Sequence, residues 1–511
     1  LRSTIPPISP TAWCTFSTGG DPAQHGVLDF RNLDVRRYEY CEPDIVASHP
    51  IAGKTFWDYA GAGGKRVGIF WVPITYPPWQ VAGLLVSGYP TPSASRSFGY
   101  PESVVAAIPG LTEDSAFFSS ARPKDLWREL ARLARERAQC AAQTMRREAF
   151  DLCVVVLGSI DRAQHDFWRH HDPRSPVHDR AEADEFGEAV LDTYRVTDRA
   201  VADLLEAASP DTTVFIVSDH GGGPAPTKAV HLNCWLRQKG FLSARAPSVC
   251  RRALNATYCA LRDRFPAKEQ LYRRLSARLR AKLTSLDAAA SFNLKAILWP
   301  KTVAYRFPLY NPHEGVAINL AGRQPQGCVA HGDYEPLRER LLSELATLTD
   351  PANGKPIVLR AFRREDVYSG PQIARFPDIV IELDPDYAAG AGLRGDWLMP
   401  VPNRQLRKLS GTHRMDGILI AAGPFVERAA SAEKPDLADI APTVLYALGL
   451  PRPATMDGRV LTEIFHPSHV AQYPPNASES GLTDTGASDR AFSPREQAEI
   501  AEHLRAIGYI D

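Results

Sequence analysis

Cysteine is scarce in this sequence and shows no pairing pattern. There are eight, at positions 14, 41, 140, 153, 234, 250, 259 and 328 of 511, with no C-x-x-C pair. That excludes a disulfide framework and a zinc ribbon, and it reads as reduced, mostly buried thiols in a cytoplasmic setting. Net charge is missing too: 59 Lys and Arg stand against 59 Asp and Glu. No global field therefore draws the chain to nucleic acid or to an anionic membrane surface. No apolar run approaches the roughly 18 residues of a membrane span, and no internal repeat is visible. What remains is ordinary globular usage, 44% hydrophobic and 23% charged, which excludes disorder as the main state. The length suits several domain-sized units or one large enzyme fold with insertions.

Short β-branched runs recur along the chain, at Arg66–Pro73, Leu152–Leu157, Thr213–Val217, Asp378–Glu382 and Gly417–Ala421. Near-continuous apolar runs of this length suit parallel strands covered on both faces. Helical stretches lie between them, notably Pro123–Ala149 and Ala181–Ala208. The expected fold is α/β, a doubly wound, mostly parallel sheet with helices on both faces and an inserted cap. In such sheets the site lies beyond the carboxyl ends of the strands. The expected organisation is a core in two parts, 1–242 and 331–466, split by the insertion 243–330. A polar, turn-rich linker at 467–492 follows, and then a docked helix at 493–511 without chemistry. Ser493, Pro494 and Glu496 provide the N-cap, N1 and N3 residues of that helix. Residues 243–283 hold nine Arg and two Lys against Asp263 and Glu269. Leu271, Leu275, Leu279 and Leu283 form a stripe that could pack on the core, while Arg273, Arg274, Arg278 and Arg280 could attract an anionic substrate.

Polar residues that follow the strands carry the chemistry. Asp161 and His165, four apart on a helix entered from a strand, can face one point and bind one metal. Taken alone, such a pair is usually a cap and a surface histidine. Asp219-His220-Gly-Gly-Gly follows another strand, where a β-turn with glycine at positive φ is the ordinary explanation. His413 lies in a loop immediately before a third strand. Their number promotes all five, because they fall on one rim of one sheet. Mixed Asp and His donors suit Zn²⁺, with Mn²⁺ as a substitute. Five such ligands exceed one tetrahedral site and suggest two divalent metals, as in phosphoryl-transfer centres. Ser9, between a Pro-rich loop and a helix, can attack phosphorus, or it can simply cap the helix ahead of Pro10.

Many ordered landmarks complete the pattern: Ser3-Thr-Ile-Pro-Pro, Asp21-Pro-Ala-Gln-His25-Gly, Gly53-Lys-Thr-Phe-Trp57 and Val72-Pro-Ile-Thr-Tyr-Pro-Pro78. Ser87-Gly-Tyr-Pro-Thr-Pro92, Gly322-Arg-Gln-Pro-Gln-Gly327, Asp439-Ile-Ala-Pro-Thr-Val444 and Leu504-Arg-Ala-Ile-Gly-Tyr509 follow. With them the chain resembles the type I phosphodiesterase/nucleotide pyrophosphatase branch of the alkaline phosphatase superfamily, and within it the predicted phosphohydrolase/phosphomutase group. The resemblance implies that Ser9 is the nucleophile. It places Asp161, His165 and His413 in one metal site, and Asp219, His220 and Ser9 in the other. It also implies a further aspartate of the second site upstream of the nucleophile, although only eight residues precede Ser9. The expectation is a chain that starts inside the fold and by itself is poorly soluble, nearly inactive and holds about one metal. Ala12 stands where nucleotide pyrophosphatases carry an Asn on the phosphoryl oxygen. Arg162, Arg414 and Lys408 are the candidates to replace it.

The function so implied is hydrolysis of a small-molecule phosphate ester, monoester or diester, through a phosphoseryl intermediate at a two-metal site. A phosphomutase on the same site is one alternative. A non-catalytic binding protein with an incomplete second site is the other. The sequence argues against a sulfatase, because Ser9-Pro10-Thr11-Ala12-Trp13 lacks the x-Pro-x-Arg that follows that branch's nucleophile.

Overall fold

The computed structural model describes residues 1–38, 44–92, 97–108, 111, 122–245, 294–478, 492–507 and 509. The first apolar run becomes β1, Val67–Val72, buried at every position. On one side it pairs in parallel with β2, Gly83–Ser87, and β2 carries the short antiparallel β3, Gly99–Tyr100. On its other side β1 pairs in parallel with β4, Leu152–Val155. The sequence landmarks at the carboxyl ends of β1 and β2 are locks. Thr75 Oγ1 donates to Val72 O (2.6 Å) and accepts from Gly88 N (2.9 Å), while Ser87 Oγ donates to Thr75 O (2.8 Å). At Gly88 a Cβ would lie 2.3 Å from Trp71 O, so only glycine lets the two strand ends close. The helix Phe56–Ala62 behind β1 opens with a capping box between Thr55 and Asp58.

The fifth strand does not extend this sheet. β5, Val214–Val217, pairs antiparallel with Leu419–Ala422, and among the described residues neither β4 nor β5 has a partner on its other edge. Between the two lies a cavity of about 1050 Å³, lined by Leu152, Val154, Phe215, Val217, Leu204 and Val444 among others. For this reason both strands are only half-buried, and Leu205 and Ile418 remain 47% and 52% exposed. The apolar runs announce burial on both faces. They do not fix strand direction: the fold is α/β as expected, with β2, β1 and β4 in parallel, a further parallel pair between Lys228–His231 and Tyr387–Gly390, and antiparallel pairs alongside them.

A second sheet, ordered Val358–Arg363, Ile379–Leu383, His313–Ile318, Ala304–Phe307, is wholly antiparallel. It draws residues from both sides of position 330, so the expected boundary between insertion and core passes through a sheet. Its anchor is Asp378, fully buried. Arg323 grips both carboxylate oxygens at 2.6 Å, while Tyr334 Oη (2.7 Å) and Ile318 N (2.7 Å) also donate. The Gly322–Gly327 landmark is thus structural. Leu271, Leu275, Leu279, Leu283, Arg273, Arg274, Arg278 and Arg280 lie outside the described residues. The turn-rich segment expected to be a linker holds a helix, Pro467–Gln472, and a short strand, Ala477–Ser478.

The last helix, Pro494–Ile507, forms with the expected capping box: Ser493 N donates to Glu496 Oε2 (2.8 Å) and Glu496 N to Ser493 Oγ (3.3 Å). Ile500, Ala501 and Leu504 are buried in the same core as Trp57 and Ile69. The described residues contain no helix long and apolar enough to cross a membrane.

Replacing Asp378 with Ala strands the buried Arg323 charge, the costly way to break such a pair. Chemical denaturation of Asp378→Ala should show a loss of about 3–5 kcal/mol, with metal affinity unchanged because the sheet it anchors supplies none of the Asp161, His165, Asp219, His220 or His413 donors.

Candidate active site

Helix Ser159–His171 follows β4 and presents Asp161 and His165 one turn apart on one face. It is sewn to the strand Gly411–Arg414: Ser410 N donates to His165 O (2.7 Å), Ser410 Oγ accepts from Arg169 N (3.2 Å), and His165 Nδ1 donates to Gly411 O (2.8 Å). Gly411 has to be glycine, because a Cβ there would lie 2.2 Å from Gln164 O. The same strand pairs antiparallel with β6, Gly221–Pro224, placing His413 opposite Gly222. Gly221, Gly222 and Gly223 are therefore extended strand, not a turn. Their missing Cβ atoms allow close approach, since one on Gly221 would sit 2.0 Å from Asp416 O. The ordinary-turn explanation of Asp219-His220-Gly-Gly-Gly is overturned.

These pairings bring the expected residues together. His165 Nε2 and His413 Nε2 are 2.9 Å apart, and Asp161 Oδ1 is 3.3 Å from the first and 3.4 Å from the second. One donor atom from each of the three lies within 4.8 Å of the others. His220 stacks on His413 with ring centroids 3.6 Å apart, and its Nε2 lies 3.2 Å from Asp219 Oδ2 and 4.0 Å from Asp161 Oδ1. Each imidazole gives its Nδ1 proton to a backbone carbonyl: His165 to Gly411, His413 to Pro7 (2.7 Å) and His220 to Gly221 (3.0 Å). Every Nε2 thereby turns a lone pair inward, the arrangement that holds metal-binding histidines in one tautomer.

Electrostatics is divided: burial works against a charged His165, yet Asp161 beside it and the Gly411 carbonyl raise its pKa. Burial works against the Asp161 carboxylate, yet His165 and His413 beside it hold its pKa well below the usual range. Burial, with His220 adding to it, pushes His413 down to about 3, so its Nε2 is free to accept. Burial raises the Asp219 carboxyl despite His220. Asp219 Oδ2 and His220 Nε2 are buried and have no hydrogen-bond partner among the described residues. Converging lone pairs and orphaned buried donor atoms are the environment a divalent cation satisfies.

Ser9 lines the same cavity as Asp161, His165, Asp219 and His220. It is the first residue of helix α1, Ser9–Thr18, whose N-cap is Ile8 and which has no side-chain cap. The capping role expected as an alternative for the Ser9 hydroxyl is not the one it takes, and the hydroxyl is left to the cavity. The Pro-rich loop before it is fixed on the site through Ser3 Oγ to Asp219 O (2.5 Å) and Pro7 O to His413. Of the three phosphoryl-contact candidates, Arg414 spends its guanidinium on the carbonyls of His413 and Pro224, and Lys408 on that of Arg505. Arg162 lines the cavity, paired with Asp166 at 2.7 Å. Ala12 is fully buried in the core.

Sequence reasoning missed the aromatic wall. Tyr310 packs on His413 with centroids 4.6 Å apart. Tyr509, just after the last helix, brings its hydroxyl 3.3 Å from His165 Nε2 and 3.4 Å from both His413 Nε2 and Asp161 Oδ2. The C-terminal element was expected to carry no chemistry, yet its tyrosine stands in the site. The closing landmark at 504–509 was the available signal.

A model of the type I phosphodiesterase / nucleotide pyrophosphatase family matches residues 1–417. No curated protein matches the chain. Among solved structures, murine ectonucleotide pyrophosphatase/phosphodiesterase 5 is 12% identical, covering 88% of this chain and 86% of its own, with a TM-score of 0.43. Phosphonoacetate hydrolase from Sinorhizobium meliloti 1021, in complex with phosphonoacetate, is 13% identical at 88% and 85% coverage, with a TM-score of 0.47. The alkaline phosphatase PafA is 13% identical at 90% and 90%, with a TM-score of 0.43.

Gly411→Ala removes no donor but forces the strand away from Gln164 and breaks the His165 Nδ1 bond. Zn²⁺ affinity, measured by competition with a chromophoric chelator, should fall about 10- to 100-fold, the cost of losing an orienting partner.

Proposed function

The chain belongs to the type I phosphodiesterase / nucleotide pyrophosphatase family of phosphoric ester hydrolases, and from that premise we propose that it cleaves a small-molecule phosphate ester with Ser9 as nucleophile. The observation that carries this reading is the convergence of Ser9 with two Asp/His donor sets on one cavity. Asp161, His165 and His413 would hold one divalent metal and Asp219, His220 and Ser9 a second, Zn²⁺ by donor type with Mn²⁺ as a substitute. When bound, such ions neutralise charge on the phosphoryl oxygens.

The chain's own groups do the rest. Ser9 sits at the positive end of helix α1, which favours an anionic phosphoryl group beside its hydroxyl. The Ser9 Oγ–P bond forms as the bond from phosphorus to the leaving alcohol oxygen breaks, and the serine proton ends on that alcohol. Water then cleaves the phosphoseryl ester, which releases the phosphate and restores the hydroxyl. Asp161 stays ionised through the cycle, and the carbonyls of Gly411, Pro7 and Gly221 keep the three imidazoles from rotating. The buried free thiols, among them Cys14 and Cys234, suit a cytoplasmic setting.

One observation favours a second reading. Among the described residues a single three-residue donor cluster is gathered, as in a binding protein that keeps the fold with its second site incomplete. A mutase would share the first half-reaction and differ only in its product.

Ser9→Ala should lower turnover of an aryl phosphate monoester or diester by more than about 1,000-fold while Zn²⁺ binding to Asp161, His165 and His413 persists. Mass spectrometry of the acid-quenched wild-type protein should find phosphate on the Ser9 peptide. Retention of most activity by Ser9→Ala would replace the covalent route with direct attack by water. Metal binding without turnover in the wild type would establish the binding-protein reading.

A further inference from the structure

We infer that Tyr509 supplies the fourth donor of the resting Asp161–His165–His413 centre through its phenol oxygen. The inference rests on the metal assignment proposed above and adds a residue to it. Four oxygen and nitrogen atoms bound tetrahedrally at 2.0–2.1 Å lie about 3.3–3.4 Å from one another. Around this centre the His165–His413 separation is 2.9 Å, and Asp161 lies 3.3 and 3.4 Å from the two histidines. The Tyr509 hydroxyl adds separations of 3.3, 3.4 and 3.4 Å, the last to the Oδ2 atom of Asp161. The phenol oxygen therefore stands within 3.3–3.4 Å of both imidazole nitrogens and of the Asp161 carboxylate, in the place a catalytic zinc site usually leaves to water or substrate.

The position is built. Tyr509 N donates to Leu504 O (3.0 Å), which carries the chain back off the last helix. That helix is held by Ile500, Ala501 and Leu504, each at most 1% exposed, and by Lys408 Nζ on Arg505 O (2.7 Å). The Tyr509 ring stands edge-on to Phe30 at 5.1 Å and lies along Tyr310 at 5.8 Å. A neutral phenol coordinates through an oxygen lone pair as water does, while its proton is directed at Asp161 Oδ2. One side chain thus touches every member of the donor cluster and lines the same cavity as Ser9. A phosphate ester reaching that place has to displace it.

Tyr509→Phe keeps the ring and its packing and removes only the oxygen, so the melting temperature of the metal-free protein should not move. Zn²⁺ affinity, by competition with a chromophoric chelator, should fall by at least about tenfold, and the visible absorption of the Co²⁺-loaded protein should shift. His413→Ala is run beside it as the control. If His413→Ala weakens Zn²⁺ binding and Tyr509→Phe changes neither affinity nor Co²⁺ spectrum, the inference about Tyr509 is overturned while the metal site stands. If neither variant alters binding, the metal assignment falls and takes the inference with it.

Discussion

Everything at the site depends on turning three imidazole lone pairs toward one half-buried carboxylate. An imidazole has two nitrogens, and only a committed Nδ1–H leaves Nε2 free to accept. The commitment comes from the backbone, through the carbonyls of Gly411, Pro7 and Gly221. Those carbonyls belong to three segments far apart in the chain. The site therefore exists only when the Pro-rich loop, the helix after β4 and the paired strands Gly221–Pro224 and Gly411–Arg414 are docked at once.

That docking explains the glycines. Strand and helix approach so closely at Gly411, and the turn-back to Asp416 is so tight at Gly221, that a methyl group would meet backbone oxygen within 2.2 Å. β4 and β5 flank the donor cluster, but each is paired on one edge only among the described residues, and apolar side chains line the cavity between them. The second sheet's buried charge at Asp378 is met on both oxygens.

Much of this was legible in the residues. The five apolar runs are all strands, the five metal-ligand candidates meet, and Ser493, Pro494 and Glu496 open the last helix as composed. What was not legible follows a physical pattern. An apolar run records burial, which parallel and antiparallel neighbours provide equally, so β5 and Ile379–Leu383 gave no hint of their antiparallel partners. Gly221–Gly223 read as a turn because glycine's need for room and its freedom at positive φ leave the same letter. Arg323 read as part of a landmark, and its tie to Asp378, 55 residues away, could not be counted from spacing.

The sequence by itself determined which chemistry is on offer: carboxylates, imidazoles and a hydroxyl placed just beyond strand ends, where the chain leaves the sheet and polar groups gather on one rim. It also determined the local folds, through caps, prolines and apolar period, because these act over four residues or fewer. Only the tertiary structure decided which nitrogen of each histidine faces the carboxylate, that the Ser9 hydroxyl is spared from capping, and that Tyr509 from the far end of the chain reaches the centre. Those outcomes depend on backbone carbonyls and core contacts hundreds of residues away, and short-range pattern carries no record of them.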